Sequence, residues 1–282
     1  MTEGGLSSKT PKERLLIALR KGRADHVGKL LDQFPEDLEP DMAADTAENR
    51  LAHRAARFGH ASVITLLASK CADLSATNKF GMTALHHGAV HGGQEVIEAL
   101  LQAGADPNQG DDAGRLPLHW CASKGHVAGA QALLKGGARP KGTDKEGFTP
   151  LHRCGQEEPQ GKEGEEEEDA YRQRLDTAKA EIAQILLSEG ADTEATEFKG
   201  KQTPLHLAAM NGLVAVASAL LEAGAGVDSV NRIGQTPLIY AVVEQHVAMV
   251  RLLLARGADV NLGNSTLTGR LGWAPIHWAA LR

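Results

Sequence analysis

Asp144-Lys-Glu-Gly-Phe-Thr-Pro-Leu-His152 is the stretch that decides the fold. Asp144 and Gly147 are turn residues. Thr149 can cap a helix by accepting from an orphan backbone N–H, and Pro150 at the first helical position gives up no needed donor. The segment therefore predicts a turn followed by a helix start. It does not stand alone: His119, His86 and His53 precede His152 at intervals of 33 residues, and His206 and His277 follow once two insertions are allowed for. One supersecondary unit has been copied along the chain.

Working outward, each copy shows the same anatomy. Small residues follow the histidine and its neighbour: Ala55-Ala56, Gly88-Ala89, Cys121-Ala122, Cys154-Gly155, Ala208-Ala209, Ala241-Val242 and Ala279-Ala280. They let a short first helix pack closely against the next copy. A second helix then carries a Leu pair, as at Leu100-Leu101, Leu133-Leu134, Leu220-Leu221 and Leu253-Leu254. A glycine closes it, in the left-handed conformation that suits a helix C-terminus. No single unit can bury its own apolar face, so stability has to come from stacking. With 31 Gly and only ten aromatics among 282 residues, the core falls to Ala, Leu, Ile and Val.

The pattern Gly-x-Thr-Pro-Leu-His-x-x-Ala, then Gly-His, then Leu-Leu-x-x-Gly-Ala-Asp, at a period of 33, resembles the ankyrin-repeat family. The resemblance covers about Arg50 to Arg282. It implies an all-α solenoid of helix-turn-helix units with hairpin or loop fingers, about seven units plus a partial eighth. It also implies protein binding without catalysis and without a cofactor. Departures are local: Arg50-Leu51 replaces Thr-Pro, Cys71 replaces a closing Gly, Ile239 replaces the His and Gln245 replaces a mid-unit Gly. The expected organisation is a disordered tail at 1–9, a degenerate capping repeat and exposed loop at 10–44, and the array at 45–282. The last copy stops at Arg282 after one helix, which suggests a piece of a longer chain.

Unit five is interrupted. An acidic insertion at about 157–176 precedes its second helix, and Glu157 to Asp169 holds eight acidic residues and one Lys. That local charge of -7 leaves the remainder at +1, since the whole chain carries -6. Pro159, Gly161 and Gly164 make the segment read as a solvated loop. From about Glu166 the spacing of Leu175, Ala178, Ile182, Ile185 and Leu186 predicts a lengthened helix. A surface insertion costs little entropy and needs no function. The alternative is a docking or regulatory segment.

In the resembled family, contacts fall on finger residues beside the glycine and on the exposed end of the first helix. Here those positions hold Arg57, Phe58, Lys79, Phe80, Met82, Arg115, Lys124, Lys145, Glu146, Phe148, Phe198, Lys199, Arg232, Ile233 and Trp273. Aromatics interleaved with cations suit a protein-binding surface. The expected partner is another protein, through an acidic or amphipathic segment that competes with the chain's own 157–169 stretch. Trp120, Tyr240 and Trp278 follow the His position and are expected in the core.

Other classes fit poorly. His87 and His91 have the i, i+4 spacing of a metal pair, but no third ligand is indicated and six histidines belong to the repeat. There is no phosphate-cradling loop and no Gly-x-Ser-x-Gly. Net negative charge argues against nucleic acid. No apolar run approaches the roughly 18 residues a membrane span needs, and the N-terminus lacks a signal-peptide pattern. Three cysteines without metal spacing indicate a reducing compartment, the cytoplasm or the nucleus, which leaves the Asn264-Ser265-Thr266 sequon unused. A monomeric scaffold or adaptor is expected. The alternative is the recognition region of a larger enzyme, channel or ubiquitin-ligase-type protein whose catalytic part lies beyond residue 282.

Overall fold

Thr-Pro punctuation and 33-residue spacing translate into pairs of short antiparallel helices. The computed structural model describes residues 9–91, 93–156, 165–263 and 272–280. Among the described residues there are seven helix pairs and one further helix. In order these are α1 (Pro11–Arg20), α2 (Ala24–Gln33), α3 (Leu51–Arg57), α4 (Ala61–Ser69), α5 (Ala84–His91), α6 (Gln94–Gln102), α7 (Pro117–Lys124) and α8 (Val127–Lys135). They continue with α9 (Pro150–Cys154), α10 (Glu165–Ser188), α11 (Pro204–Met210), α12 (Val214–Glu222), α13 (Pro237–Val243), α14 (Val247–Ala255) and α15 (Pro275–Ala279). No strand forms among the described residues; an isolated antiparallel bridge joins Ala43 and Arg50.

Helix starts follow the chemistry of the sequence. Thr149 and Thr236 accept the N–H of the third residue into the helix, 3.4 Å away in each case. Where a histidine stands third, its Nδ1 accepts the cap residue's own N–H, at 3.0–3.1 Å for Thr83, Thr149 and Thr203. Arg50 lacks a capping side chain, yet His53 Nδ1 still accepts its N–H at 3.1 Å. The ring therefore rescues the unit whose opening departs from Thr-Pro. Closing and mid-unit positions keep a left-handed backbone even without glycine: Cys71 has φ 59° and Gln245 has φ 60°. The stacked neighbours fix that conformation and not the residue type.

The chain divides into two compact units, 1–117 with 131–138 and 118–130 with 139–282; the division falls inside α7 and α8. In the first, α1 packs on α3 and α3 on α5, while α2 packs on α4 and α4 on α6. Ala55, Ala56, Leu67, Leu85, Ala89, Ile97 and Leu100 are fully buried there. The 34–44 connection, expected as an exposed loop, tucks Leu38 inward at 2 % exposure and so has an apolar anchor.

In the second unit α9, α11, α13 and α15 form one row, and α10, α12 and α14 form the other. The lengthened second helix expected from about Glu166 is the 24-residue α10. Two of its polar residues tie it to its neighbours. Asp176 accepts from the N–H groups of Ala215 and Val216 at 2.9 and 3.1 Å, capping α12, whose own N-cap Leu213 has no side chain to do so. Lys179, fully buried, donates from Nζ to the carbonyl of Gln156. Residues 157–164 lie outside the described residues, and with them the first part of the acidic segment.

Candidate protein-interaction site

The fingers at 78–82, 111–115, 144–148, 197–202 and 231–235 are each folded around one inward polar side chain. Asn78 Oδ1 accepts the N–H groups of Phe80 and Met82 at 2.9 and 3.1 Å. Asp111 serves Ala113 and Arg115, Asp144 serves Glu146 and Phe148, and Asn231 serves Ile233 and Gln235, all at 2.9–3.0 Å. Glu197 does this for a finger one residue longer, receiving Lys199, Gly200 and Gln202. These buried acceptors hold the turns, which leaves the flanking residues to face outward.

Neighbouring fingers join by single backbone bonds. In the first unit Lys79 N donates to Ala47 O and Asp112 N to Phe80 O, both at 3.1 Å. In the second, Phe198 N donates to Glu146 O at 2.9 Å and Arg232 N to Gly200 O at 2.7 Å. Below them the histidines repeat the linkage: Nε2 donates to Met82 O from His53, to Arg115 O from His86, to Phe148 O from His119, to Gln202 O from His152 and to Gln235 O from His206. Burial pushes the pKa of His53, His86 and His206 down, and that of His152 to about 4. These rings are neutral struts of the scaffold.

The expected contact residues separate into groups. Phe80 and Phe198 stand out at 54 % and 62 % exposure, the latter lying over Gly147 of the preceding finger. Lys79, Lys145, Lys199 and Arg232 are exposed, as is Arg57 at the end of α3. Phe58, Met82, Lys124, Phe148, Ile233 and Trp273 are half-buried. Phe148 is braced by the Arg153 guanidinium 4.7 Å above its ring and edge-to-face by His152. Trp273 packs against His277 and Trp278. Arg115 is anchored: its Nε donates to the buried Asp111 carboxylate at 2.8 Å.

Charge on the fingers is uneven. Those at 144–148, 197–202 and 231–235 expose Lys145, Lys199, Lys201 and Arg232 against one exposed carboxylate, Glu146. Those at 45–49, 78–82 and 111–115 expose Asp45, Glu48 and Asp112 against Lys79, with Arg115 half-buried. Exposed cations thus outnumber exposed carboxylates not on the first unit's fingers but on those of the second. There a cleft of about 490 Å³ brings together Phe148, Lys199, Arg232 and Ile233, all expected contact residues. It also includes Tyr240, which the sequence pattern placed in the core. Tyr240 stands edge-to-face on His206, with its hydroxyl at the cleft wall, because the first helix presents that position toward the fingers. The signal for it was the polar tip on an otherwise apolar position.

Other candidates resolve as scaffold. His87 and His91 stack at 6.3 Å, and burial first, then the neighbouring His53, His91 and His86 rings and Arg57, push the His87 pKa to about 3. Among the described residues no three His, Cys, Asp or Glu side chains are grouped to hold a metal. Cys121 and Cys154 are buried thiols with raised pKa. No described helix is long and apolar enough to cross a membrane.

Ankyrin-repeat patterns match the chain over residues 15–111 and 175–264 in sets of three copies, and over 113–145 as a single copy. The chain belongs to the ankyrin-repeat family, whose fold generally serves as a non-catalytic protein-interaction module. It is 36% identical to human NF-kappa-B inhibitor alpha over 91 residues, 30% of this chain and 28% of that protein. It is 41% identical to the mouse B-cell lymphoma 3 protein homolog over 75 residues, 26% of this chain and 16% of that protein. The chain therefore matches less than a third of the length of these relatives. Among solved structures, the ankyrin repeat domain of Bcl-3 superposes with TM-score 0.60 at 23% identity, covering 96% of this chain and 94% of that one. The human ASB11 ankyrin repeat domain gives TM-score 0.70 at 21% identity, covering 89% and 99%. At those identities the structures establish the fold.

Proposed function

We propose that this chain binds a partner protein non-covalently, by docking an acidic, partly apolar segment along the fingers of its second unit. The observation that carries this reading is the uneven finger charge. Four exposed cations face one exposed carboxylate there, beside the exposed Phe198 and the cleft walled by Phe148 and Ile233. Cations steer an acidic segment and fix its orientation, while aromatic and aliphatic surface supplies the contact energy. The fingers are held by buried side chains, so the surface is preformed and little ordering is needed on binding. Lys145, Phe198, Lys199 and Arg232 act as direct contacts. Arg57, Phe58, Lys79, Phe80, Met82, Arg115, Lys124 and Trp273 are secondary, with Arg115 chiefly stabilising its own finger.

The test is selection of 12-residue peptides from a random library against the intact chain, followed by affinity measurement. The expected binders are acidic, and they weaken at least about ten-fold on the double substitution Lys199→Glu/Arg232→Glu. The first-unit control Lys79→Glu leaves them unchanged. Binders indifferent to the double substitution, or no binders, would sink the reading. Arg115→Glu is unsuitable as a probe, because it would set a second carboxylate against buried Asp111 and destabilise the finger itself.

A further inference from the structure

The cleft between the second unit's fingers has a donor that the scaffold does not consume. Tyr240 Oη receives two amide hydrogen bonds, from Gln202 Nε2 at 2.8 Å and from Asn231 Nδ2 at 3.0 Å. Asn231 is locked in that orientation, since its Oδ1 is already committed to the N–H groups of Ile233 and Gln235. With both acceptor positions of the phenol filled, its own O–H is directed at a further acceptor. Two amides donating to the oxygen also polarise the hydroxyl and strengthen it as a donor. His206, edge-to-face with the ring at 6.0 Å, holds it in place.

Two cations share the same cleft. Arg232 spends Nη2 on the Phe198 carbonyl at 2.9 Å, which fixes the guanidinium while leaving its other N–H groups to spare. Lys199 Nζ sits 2.5 Å from Glu146 Oε1 at the rim, and both are well exposed, so this pair is weak and exchangeable. The one carboxylate deep in the cleft, Glu197, is 3 % exposed and turned into its own turn, where three backbone N–H groups engage it. Outward-facing donors therefore dominate the cleft, with apolar walls on either side.

Resting on the docking reading above, we propose that this cleft is a carboxylate subsite. It takes a single Asp or Glu side chain of the docked segment, bound by the Tyr240 hydroxyl and the Arg232 guanidinium, and thereby sets the register of the whole peptide. A diffuse basic surface would attract any acidic segment equally well. A positioned phenol discriminates, because an amide in place of the carboxylate forfeits the charge-assisted bond and keeps the shape. Register follows because the Tyr240 hydroxyl and the Arg232 guanidinium single out one carboxylate position, flanked by the Phe148 and Ile233 walls.

The experiment uses selected 12-residue peptides, C-terminally amidated so that only side-chain carboxylates are present. Each acidic residue is changed singly to its amide, and every peptide is titrated by fluorescence anisotropy against the intact wild-type chain and against Tyr240→Phe. A thermal melt confirms that the variant folds. The expected result is one acidic position whose amide version binds about ten-fold more weakly to wild type, and whose amide version no longer discriminates wild type from Tyr240→Phe. Additive effects of the phenol and of every carboxylate, or binding lost on amidating the C-terminus, would overturn the subsite. Those same outcomes leave the docking reading standing, provided binding still depends on Lys199 and Arg232. A library without finger-dependent binders overturns both.

Discussion

A histidine at the repeat position, as at His53, His86, His152 and His206, is a two-ended strut. Its Nδ1 accepts a cap residue's N–H and its Nε2 donates to a carbonyl of the next finger, so both nitrogens are used in the neutral form only. Protonating Nδ1 would set a donor against a donor. Burial opposes the charge as well, and the His152 pKa falls to about 4. An unfolded histidine protonates near 6.5, so below that pH the unfolded chain binds protons that the folded chain refuses. The histidine contribution to stability is therefore complete above about pH 6.5 and is lost as pH falls toward 4. Urea midpoints measured at pH 7.5, 6 and 5 should decrease in that order; a flat profile would show that the rings are protonated in the fold. The struts were legible in the sequence because they recur at a fixed spacing beside Thr-Pro. Tyr240 was not, because it follows Ile239 at the histidine position, where Trp120 and Trp278 stand in their own units. Only its two amide partners, Gln202 in the preceding finger and Asn231 in its own, show that its tip is polar work and not filling.

The first helix of each unit depends on small residues at the element scale. Gly155 has an ordinary φ, so its requirement is space: a Cβ there would lie 2.8 Å from Pro204 O and 3.0 Å from Ala208 N, both backbone atoms of α11. Backbone cannot swing aside as a side chain can. Gly155→Ala should destabilise by about 1–3 kcal/mol through overpacking. Gly28 in α2 offers the opposite case, for its Cβ would sit 3.4 Å from a Leu66 methyl, in ordinary contact. Gly28→Ala should stabilise by up to about 1 kcal/mol through helix propensity. Chemical denaturation of the two variants checks both signs at once, and a loss at Gly28 would show that α2 has no slack against α4. The small-residue pairs made the helix contacts readable from sequence. The Asp176 cap on α12 was not readable, because donor and acceptor lie 39 and 40 residues apart and α10 departs from the repeat length there.

At the scale of the whole molecule, the bulk charge of -6 conceals where the charges sit. The acidic excess of 157–169 masks a near-neutral remainder, and among the fingers the exposed cations collect on those of the second unit. Composition could not locate this asymmetry, which depends on which carboxylates are turned inward to hold the turns. Asp111, Asp144 and Glu197 are all buried acceptors, so three fingers lose an acidic residue from their outer face, two of them in the second unit. The remaining exposed cations act over a Debye length of about 8 Å at physiological salt and about 3 Å at 1 M. Association of an acidic peptide should therefore slow with added salt, while its dissociation, governed by the apolar walls and the donors in the cleft, changes little. Stopped-flow measurement between 0.05 and about 1 M salt should show the on-rate falling by at least about ten-fold. The slope should flatten in Lys199→Glu/Arg232→Glu and persist in Lys79→Glu. An on-rate indifferent to salt, or one flattened equally by Lys79→Glu, would mean that the finger asymmetry steers nothing.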